Sequence, residues 1–173
     1  ARDAEARSLP LRFVLLGDGN QRQRLEADGD GCACLQFVRP LGNEQYVQAL
    51  EAADVLLVNE LPGLAETAVP SKLTSYFTVD RPVLAATEPT SVTADEVLAS
   101  GAGRVVSPGE PEALVEAALA LVASDFYRDA GPQYVERTLS PNTAIESFAT
   151  VLRQLSANVA EDRPASQREG IDS

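Results

Sequence analysis

The chain has 173 residues, of which 45% are hydrophobic and 23% are charged, and this composition suits one globular domain with a substantial core. A formal net charge of −12 argues against nucleic acid or an anionic membrane surface as the main partner, because both need clustered Lys and Arg. The sequence contains no His, so it cannot supply a His-dependent catalytic triad or a His-ligated metal. No apolar run is long enough to span a bilayer, and no signal peptide is visible.

Short apolar runs alternate with helical stretches from residue 11 onward. The predicted strands are 11–16, 33–38, 54–58, 83–86 and 103–106. The predicted helices between them are 20–27, 44–53, a helix that opens at Pro70-Ser71, and 92–99. This alternation predicts an α/β fold with a Rossmann-like parallel sheet and helices on both faces.

The two ends of the chain have a different character. Residues 1–10 resemble the end of a helix, and Met is absent even at position 1. We therefore expect a remnant of an upstream helix and a sheet whose first strand lies upstream, so that one member is missing or one edge is exposed. After residue 110 an amphipathic helix, PEALVEAALALVAS, precedes predicted helices near 124–137 and 142–155. Residues 156–173 are polar and free of aromatic residues, which predicts a disordered tail after a domain of 11–155.

Two short motifs could suggest metal chemistry. Cys32 and Cys34 form C-A-C, which in a strand places both on one face, and we interpret them as buried reduced thiols because no other soft ligand is present. The segment 28–30, Asp-Gly-Asp, resembles a D-x-D metal motif. It follows a predicted helix and so belongs at the edge away from ligands, where a solvated turn is the better interpretation. We expect no metal and no cofactor.

Ligands of open α/β sheets bind beyond the carboxyl ends of the strands. Three segments fall there: Gly17-Asp18-Gly19, Val38–Leu41, and the loop that leads into Lys72. Glycines after a strand allow close backbone approach to a ligand, although a plain tight turn explains them equally well, and the segment lacks the G-x-G-x-x-G pattern.

Lys72 lies in the first turn of a predicted helix that Ser71 can cap. The helix dipole is positive there, so a cation is unfavourable unless an anion lies between the two. The position therefore predicts a bound phosphate, against the alternative of an ordinary solvent-exposed lysine.

Several segments in this order resemble a known family: GDGNQRQRLE, FVRPL, LEAADVLLVN, VPSKLTSYFTVDRPVLAAT and SGAGRVVSPGEPEAL. Over residues 11–155 the chain is similar to the nucleotide-sugar half of a GT-B glycosyltransferase of group 1, family 4, of the colanic-acid type with P-S-K-L. The resemblance implies retaining hexosyl transfer from a nucleoside diphosphate-sugar to a glycan, lipid or small-molecule acceptor in polysaccharide biosynthesis. It also implies a separate N-terminal acceptor half, a cytoplasmic location, and membrane contact only through that other half.

The same resemblance implies roles for individual residues. The implied donor-binding residues are Gly17, Gly19, Glu66, Ser71, Lys72 and Ser75, and Val38 with Arg39 falls in the nucleobase region. Glu66 would lie near the donor sugar and Lys72 near the diphosphate.

Three departures from the family pattern are visible. Ser75 replaces the Glu that binds ribose hydroxyls, Thr67 breaks the usual Glu pair, and Asp80 replaces a Gly. The basic pair that clamps the diphosphate would belong to the upstream segment.

These departures keep alternatives open. One is a non-catalytic or degenerate nucleotide-sugar-binding module; a sugar-nucleotide epimerase and a plain α/β domain are less favoured. On any reading we expect the isolated chain to lack transfer activity.

Overall fold

The computed structural model describes residues 1–63, 71–124 and 127–139. The chain divides into two compact units, residues 1–133 and 134–173. The described part of the second unit contains a π-helical turn, Val135–Leu139. The predicted helix 142–155 and the predicted tail 156–173 lie outside the described residues, as does Glu66.

Strands and helices alternate through the first unit as predicted. The strands are β1 Phe13–Leu16, β2 Leu35–Val38, β3 Leu56–Asn59, β4 Val83–Ala86 and β5 Gly103–Val106. The helices are α1 Arg2–Ala6, α2 Arg22–Asp28, α3 Asn43–Glu51, α4 Lys72–Thr78, α5 Val92–Ser100, α6 Pro111–Val122 and α7 Ala130–Tyr134. The helix predicted over 124–137 is wrong in extent, because α7 begins only at Ala130 and gives way to the π-helical turn.

All strand pairings are parallel, which confirms the Rossmann-like α/β class. The strands form two sheets rather than one, β1-β2 and β3-β4-β5. Doubly wound sheets commonly have the order 3-2-1-4-5-6. The observed pairings match positions 3-2 and 4-5-6 of that order, so a strand between β1 and β3 would complete it. That such a strand lies upstream stays a prediction.

The two sheets differ in how well they are covered. In β1, Val14 is 52% exposed and Leu15 is 38% exposed. Neighbouring residues of a strand point to opposite faces, so β1 is incompletely covered on both. In β4, Val83 and Leu84 are at most 1% exposed. The best-covered part of the core therefore surrounds the three-stranded sheet.

Helices pack on this sheet from two sides. Leu84 forms a buried cluster with Ala118 and Leu121 of α6. Parallel strands are almost always joined by right-handed crossovers, which predicts that α4 and α5 lie on the opposite face. Phe77 of α4 and Val97 of α5 are both fully inaccessible to solvent.

The two cysteines lie differently from the prediction. Strand β2 begins at Leu35, so Cys32 and Cys34 lie in the turn before it and not in the strand. Cys32 is buried whereas Cys34 is half-buried, and the two Sγ atoms are 3.5 Å apart. Both are free thiols, and burial raises the pKa of Cys32, with a contact to Cys34 as the second cause.

The glycines of the segment 100–103 have structural roles. Gly101 has φ of 64° and ends α5 in the left-handed conformation that glycine adopts without strain. A Cβ at Gly103 would lie 2.0 Å from the carbonyl oxygen of Val83, so only glycine allows β5 to pack against β4 here.

Gly103→Ala is expected to lower the free energy of unfolding by about 1–3 kcal/mol, because the added methyl meets backbone atoms that cannot rotate away. Urea unfolding measures the change. The control is Gly19→Ala, where an added Cβ has no neighbour within 4 Å and an effect within about 0.5 kcal/mol is expected. Equal stability of the two variants would contradict the close packing at Gly103.

Candidate functional site

The carboxyl ends of β3, β4 and β5 are aligned. Asn59 pairs with Ala86, and Ala86 pairs with Val106, so the three strands end side by side. The loops that follow these strands therefore leave the sheet at one edge. This is the edge at which open α/β sheets bind their ligands.

At the end of the other sheet, the structure brings Gly17 and Val38 together. The amide of Gly17 donates to the carbonyl oxygen of Val38 over 3.1 Å. Gly17 has φ of 140°, a conformation that residues with a side chain rarely adopt. The backbone at Gly17 is thus fixed against β2, and an added Cβ there would have no neighbour within 4 Å.

Arg22 holds together the ends of β1 and β2, and we call this contact region the junction. This role of Arg22 was not predicted from the sequence. Its Nη1 atom donates to the carbonyl oxygens of Gly17 over 2.5 Å and Val38 over 3.0 Å. Its Nε atom contacts Glu26 at 2.7 Å, and the guanidinium lies 5.9 Å from the ring centre of Phe37. The available signal was the spacing of four between Arg22 and Glu26 on one helix, which predicts an ion pair but not the two carbonyl contacts.

Gly19 and Arg39 are exposed beside this junction. A Cβ at Gly19 would have no neighbour within 4 Å, so the backbone there is accessible to a ligand. Arg39 directly follows β2, and it makes no hydrogen bond or ion pair within the described parts of the chain. Its guanidinium is therefore available to an anion.

Lys72 is the first residue of α4 and is exposed. It too has no hydrogen-bonding or ionic partner among the residues that the structure describes. Ser75, one turn later, is half-buried. The neighbouring Tyr76 is mostly buried, which raises the pKa of its hydroxyl, and Tyr46 raises it further.

The predicted cap at Ser71 is wrong. Ser71 has φ of −55° and ψ of −25°, and its side chain makes no capping hydrogen bond. A capping serine normally has extended backbone, which turns its hydroxyl toward the free amides of the first turn. Because Ser71 is already helical in conformation, its exposed hydroxyl is not used by α4 in this way.

Polar side chains cluster where β3 and β4 end, a second feature that sequence reasoning missed. Thr87 donates a short hydrogen bond to Oε2 of Glu60, and Thr93 donates to Oε1 of Glu60 over 2.6 Å. Ser91 contacts the Thr87 hydroxyl at 2.8 Å and accepts from the amide of Ala94 at 3.0 Å. We call Glu60, Thr87, Ser91 and Thr93 the Glu60 network.

The loop after β3 has a second attachment. The amide of Gly63 donates to Oε1 of Glu88 over 3.1 Å. Pro62 lies beside Gly109, where an added Cβ would come within 3.4 Å of its ring. The segment 60–63 is therefore held to the loops after β4 and β5.

Asp80 lies where the resemblance implies a glycine, and its backbone conformation is one that favours glycine. Its φ is 52°, in the left-handed region where glycine is usual and Asp is tolerated better than most residues. Its Oδ1 atom accepts a hydrogen bond from the amide of Asp129 over 2.8 Å. Asp80 therefore adopts a backbone conformation that a glycine would adopt without strain.

The predicted site residues form two groups. Gly17, Gly19, Val38 and Arg39 lie at the end of the β1-β2 sheet, whereas Ser71, Lys72 and Ser75 lie on or next to α4. No hydrogen bond or ion pair between described residues joins the two groups. The segment 28–30 ends α2, away from both groups, and Arg2 binds the carbonyl oxygens of Asp28 and Asp30.

A cavity of about 230 Å³ lies at the opposite edge of the three-stranded sheet. Asp54 and Pro82, which precede β3 and β4, line it together with Leu121 and Tyr127. It is distinct from the carboxyl edge where the predicted site residues lie.

Comparison with known proteins gives the family. Residues 2–124 match the family of glycosyl transferases group 1, and the chain belongs to this family. It is 28% identical over 150 residues to a protein of Escherichia coli strain K12 named as a colanic acid biosynthesis glycosyl transferase, WcaI, covering 85% of this chain and 37% of that protein.

A solved structure shows the same fold. The crystal structure of WaaG, a glycosyltransferase involved in lipopolysaccharide biosynthesis, matches with a TM-score of 0.54 and 18% identity, over 76% of this chain and 35% of that one. The chain thus spans little more than a third of each relative. Within the described residues, none of the helices is long and apolar enough to cross a membrane.

Arg22→Lys is expected to lower the free energy of unfolding by about 1–2 kcal/mol, because an ammonium group cannot reproduce the planar fork that reaches two carbonyls and Glu26. Chemical denaturation measures this. Arg24→Lys is the matched control: its ion pair with Asp28 is 3.6 Å long and largely exposed, so a change within about 0.5 kcal/mol is expected. Equal effects would show that Arg22 does not hold the junction.

Proposed function

We propose that this chain is the donor-binding half of a retaining glycosyltransferase. The enzyme would transfer a hexosyl group from a nucleoside diphosphate-sugar to a glycan, lipid or small-molecule acceptor. Family membership supports glycosyl transfer as the reaction, and the alignment of strand ends supports a ligand at the carboxyl edge of the sheets.

The observation that carries the proposal is the distribution of unpaired cations. Among the basic side chains that the structure describes, three have neither a hydrogen bond nor an ion pair: Arg12, Arg39 and Lys72. Arg12 precedes β1 and so belongs to the amino edge. Arg39 and Lys72 both belong to the carboxyl edge. In a chain of net charge −12, two cations without a partner among the described residues favour an anionic ligand at the carboxyl edge.

A nucleoside diphosphate-sugar suits this edge chemically. Lys72 would contact the diphosphate as a point charge, with the Ser71 hydroxyl beside it. The backbone at Gly17 and Gly19 would allow the donor to approach closely.

The remaining assignments concern the two ends of the donor. Ser75 would bind ribose through a single hydroxyl, and Val38 with Arg39 would border the nucleobase. Glu66, outside the described residues, would contact the donor sugar.

The proposed chemistry depends on electrostatics more than on a general base. In a retaining front-face reaction the departing diphosphate helps to deprotonate the acceptor, so this half mainly stabilises the negative charge that develops on the leaving group. Lys72 is the side chain that we assign to this task. We propose no obligatory metal or cofactor.

A second half would supply the acceptor site. Because the chain spans little more than a third of its relatives, we propose that an N-terminal acceptor domain accompanies it in the working enzyme. We further propose that the enzyme is cytoplasmic and that any contact with a membrane surface occurs through that domain.

A non-catalytic nucleotide-sugar-binding module is the second candidate. Ser75 favours it, because a neutral hydroxyl replaces the carboxylate that the family uses on ribose, and it gives a weaker hold than a charge-assisted contact. Donor binding without sugar transfer in the complete protein would support this candidate.

Lys72→Ala is expected to weaken nucleoside diphosphate binding about ten- to a hundredfold, because a charge-assisted contact of about 1.5–3 kcal/mol is lost. Binding of the nucleoside alone should change little, and rising salt should shrink the difference if the site is open to solvent. Calorimetric titration with UDP, GDP and ADP and with the matching nucleosides measures this.

Two control variants sharpen this experiment. Arg12→Ala removes an unpaired cation from the amino edge and should leave diphosphate affinity unchanged. Ser75→Ala should weaken nucleoside and diphosphate binding by the same small factor. An unchanged diphosphate affinity in Lys72→Ala would show that Lys72 is an ordinary surface lysine.

The chain by itself is expected to transfer no sugar, since a GT-B site requires residues from both halves. A coupled assay for release of free nucleoside diphosphate, with donor and candidate acceptors present, tests this. Steady release of nucleoside diphosphate by the 173-residue chain alone, above the level without protein, would contradict the proposal that both halves are needed for transfer.

A further inference from the structure

Glu60 is a charged residue at the end of a buried strand, and its position follows from the sheet register. Asn59 pairs with Ala86, so the next residues, Glu60 and Thr87, are opposite each other one step beyond the ladder. The amide of Glu60 still donates to the carbonyl oxygen of Ala86 over 2.9 Å. Residues opposite each other in a sheet point to the same face, which brings the Thr87 hydroxyl to the Glu60 carboxylate.

The partners of this carboxylate are almost inaccessible to solvent. Thr87 and Thr93 are 0% exposed and Ser91 is 1% exposed, whereas Glu60 itself is half-buried. Because the Thr87 hydroxyl gives its proton to Glu60, the Ser91 hydroxyl donates to Thr87 in turn. Each hydroxyl of the network is satisfied, and the whole depends on one carboxylate.

The network also joins the sheet to the beginning of a helix. Ser91 is the N-cap of α5, with extended backbone and a side chain that accepts from the amide of Ala94. Thr93 lies in the first turn of α5, so the Glu60 carboxylate lies against the positive end of that nine-residue helix. The Glu60 carboxylate thus already supplies a negative charge next to the N-terminus of α5.

We propose that Glu60 is a positioning residue for the donor site. Its carboxylate ties the end of β3 to the end of β4 and to the first turn of α5. This fixes the direction in which residues 60–63 leave β3 at the carboxyl edge. Because Glu60 complements the end of α5, the donor phosphates are left to Lys72 and Arg39, which have no partner in the described part of the chain. The proposal rests on the proposed donor-binding function.

Glu60→Ala and Glu60→Gln separate a role in hydrogen bonding from a requirement for charge. In Glu60→Ala, both threonine hydroxyls lose their acceptor, and we expect diphosphate affinity to fall about tenfold as the loop after β3 loosens. In Glu60→Gln, the amide oxygen accepts from one threonine and the amide nitrogen donates to the other. We therefore expect affinity within about threefold of the unchanged chain.

Asp95→Asn is the matched control. Asp95 is an exposed carboxylate in the first turn of the same helix, outside the Glu60 network. Its replacement removes the same charge and should leave diphosphate affinity within about twofold. In the complete enzyme, Glu60→Ala should raise the donor KM with little change in the acceptor KM, a split that general loss of stability would not produce.

Hydrogen exchange gives a readout that does not depend on nucleotide binding. The amides of Glu60, Gly63 and Ala94 should exchange faster in Glu60→Ala than in Glu60→Gln, while amides of β4 exchange alike. If Glu60→Ala does not fold, Thr93→Val, which removes one hydrogen bond and keeps the side-chain shape, replaces it with a smaller expected loss of about threefold.

The outcomes are distinguishable. If the unchanged chain and the complete enzyme bind no nucleoside diphosphate, the proposed function fails, and with it the donor role of Glu60. If the unchanged chain binds and folded Glu60→Ala binds equally well, Glu60 does not position the site. Exchange rates that are the same in Glu60→Ala and Glu60→Gln would remove the structural basis of the proposal.

Discussion

Burial of β4 on both of its faces is the constraint on which the first unit depends. Val83 and Leu84 point to opposite faces and are both almost fully buried, so helices must cover the sheet from two sides. Parallel pairing of β4 with β3 and β5 then brings three carboxyl ends to one edge. The place of the candidate site is a consequence of this packing, because no antiparallel arrangement would align those ends.

The carboxyl edge combines fixed and free polar groups. Arg22 and Glu60 are engaged by the protein itself: Arg22 joins the ends of β1 and β2, and Glu60 joins the ends of β3 and β4 to α5. Arg39 and Lys72 are exposed and without partners among the described residues. Engaged groups give the edge its shape, and the two cations without described partners are the basis of the proposed preference for an anion. A phosphate-containing donor needs both properties.

Several residues in the family-like segments are explained by the fold. Gly101 ends α5 with positive φ, Gly103 allows close contact between β5 and β4, and Asp80 adopts a left-handed conformation. Such residues indicate the fold and not the chemistry. No packing requirement explains Lys72, Arg39 or the exposed backbone at Gly19, and these are the features from which we infer donor binding.

The sequence by itself determined the order and type of the elements, because a hydrophobic period of two or 3.6 residues is local information. It therefore located the five strands of the described residues to within about two residues, and it placed Gly17 and Val38 at strand ends and Lys72 at the beginning of a helix. Ser71 was misjudged because capping depends on backbone angles that the residue type does not specify. Only the tertiary structure decided that the strands form two sheets and that Arg22 and Glu60 find their partners. Those contacts join residues 16, 27 and 33 positions apart, and the strand register that brings them together is a property of the packed sheet.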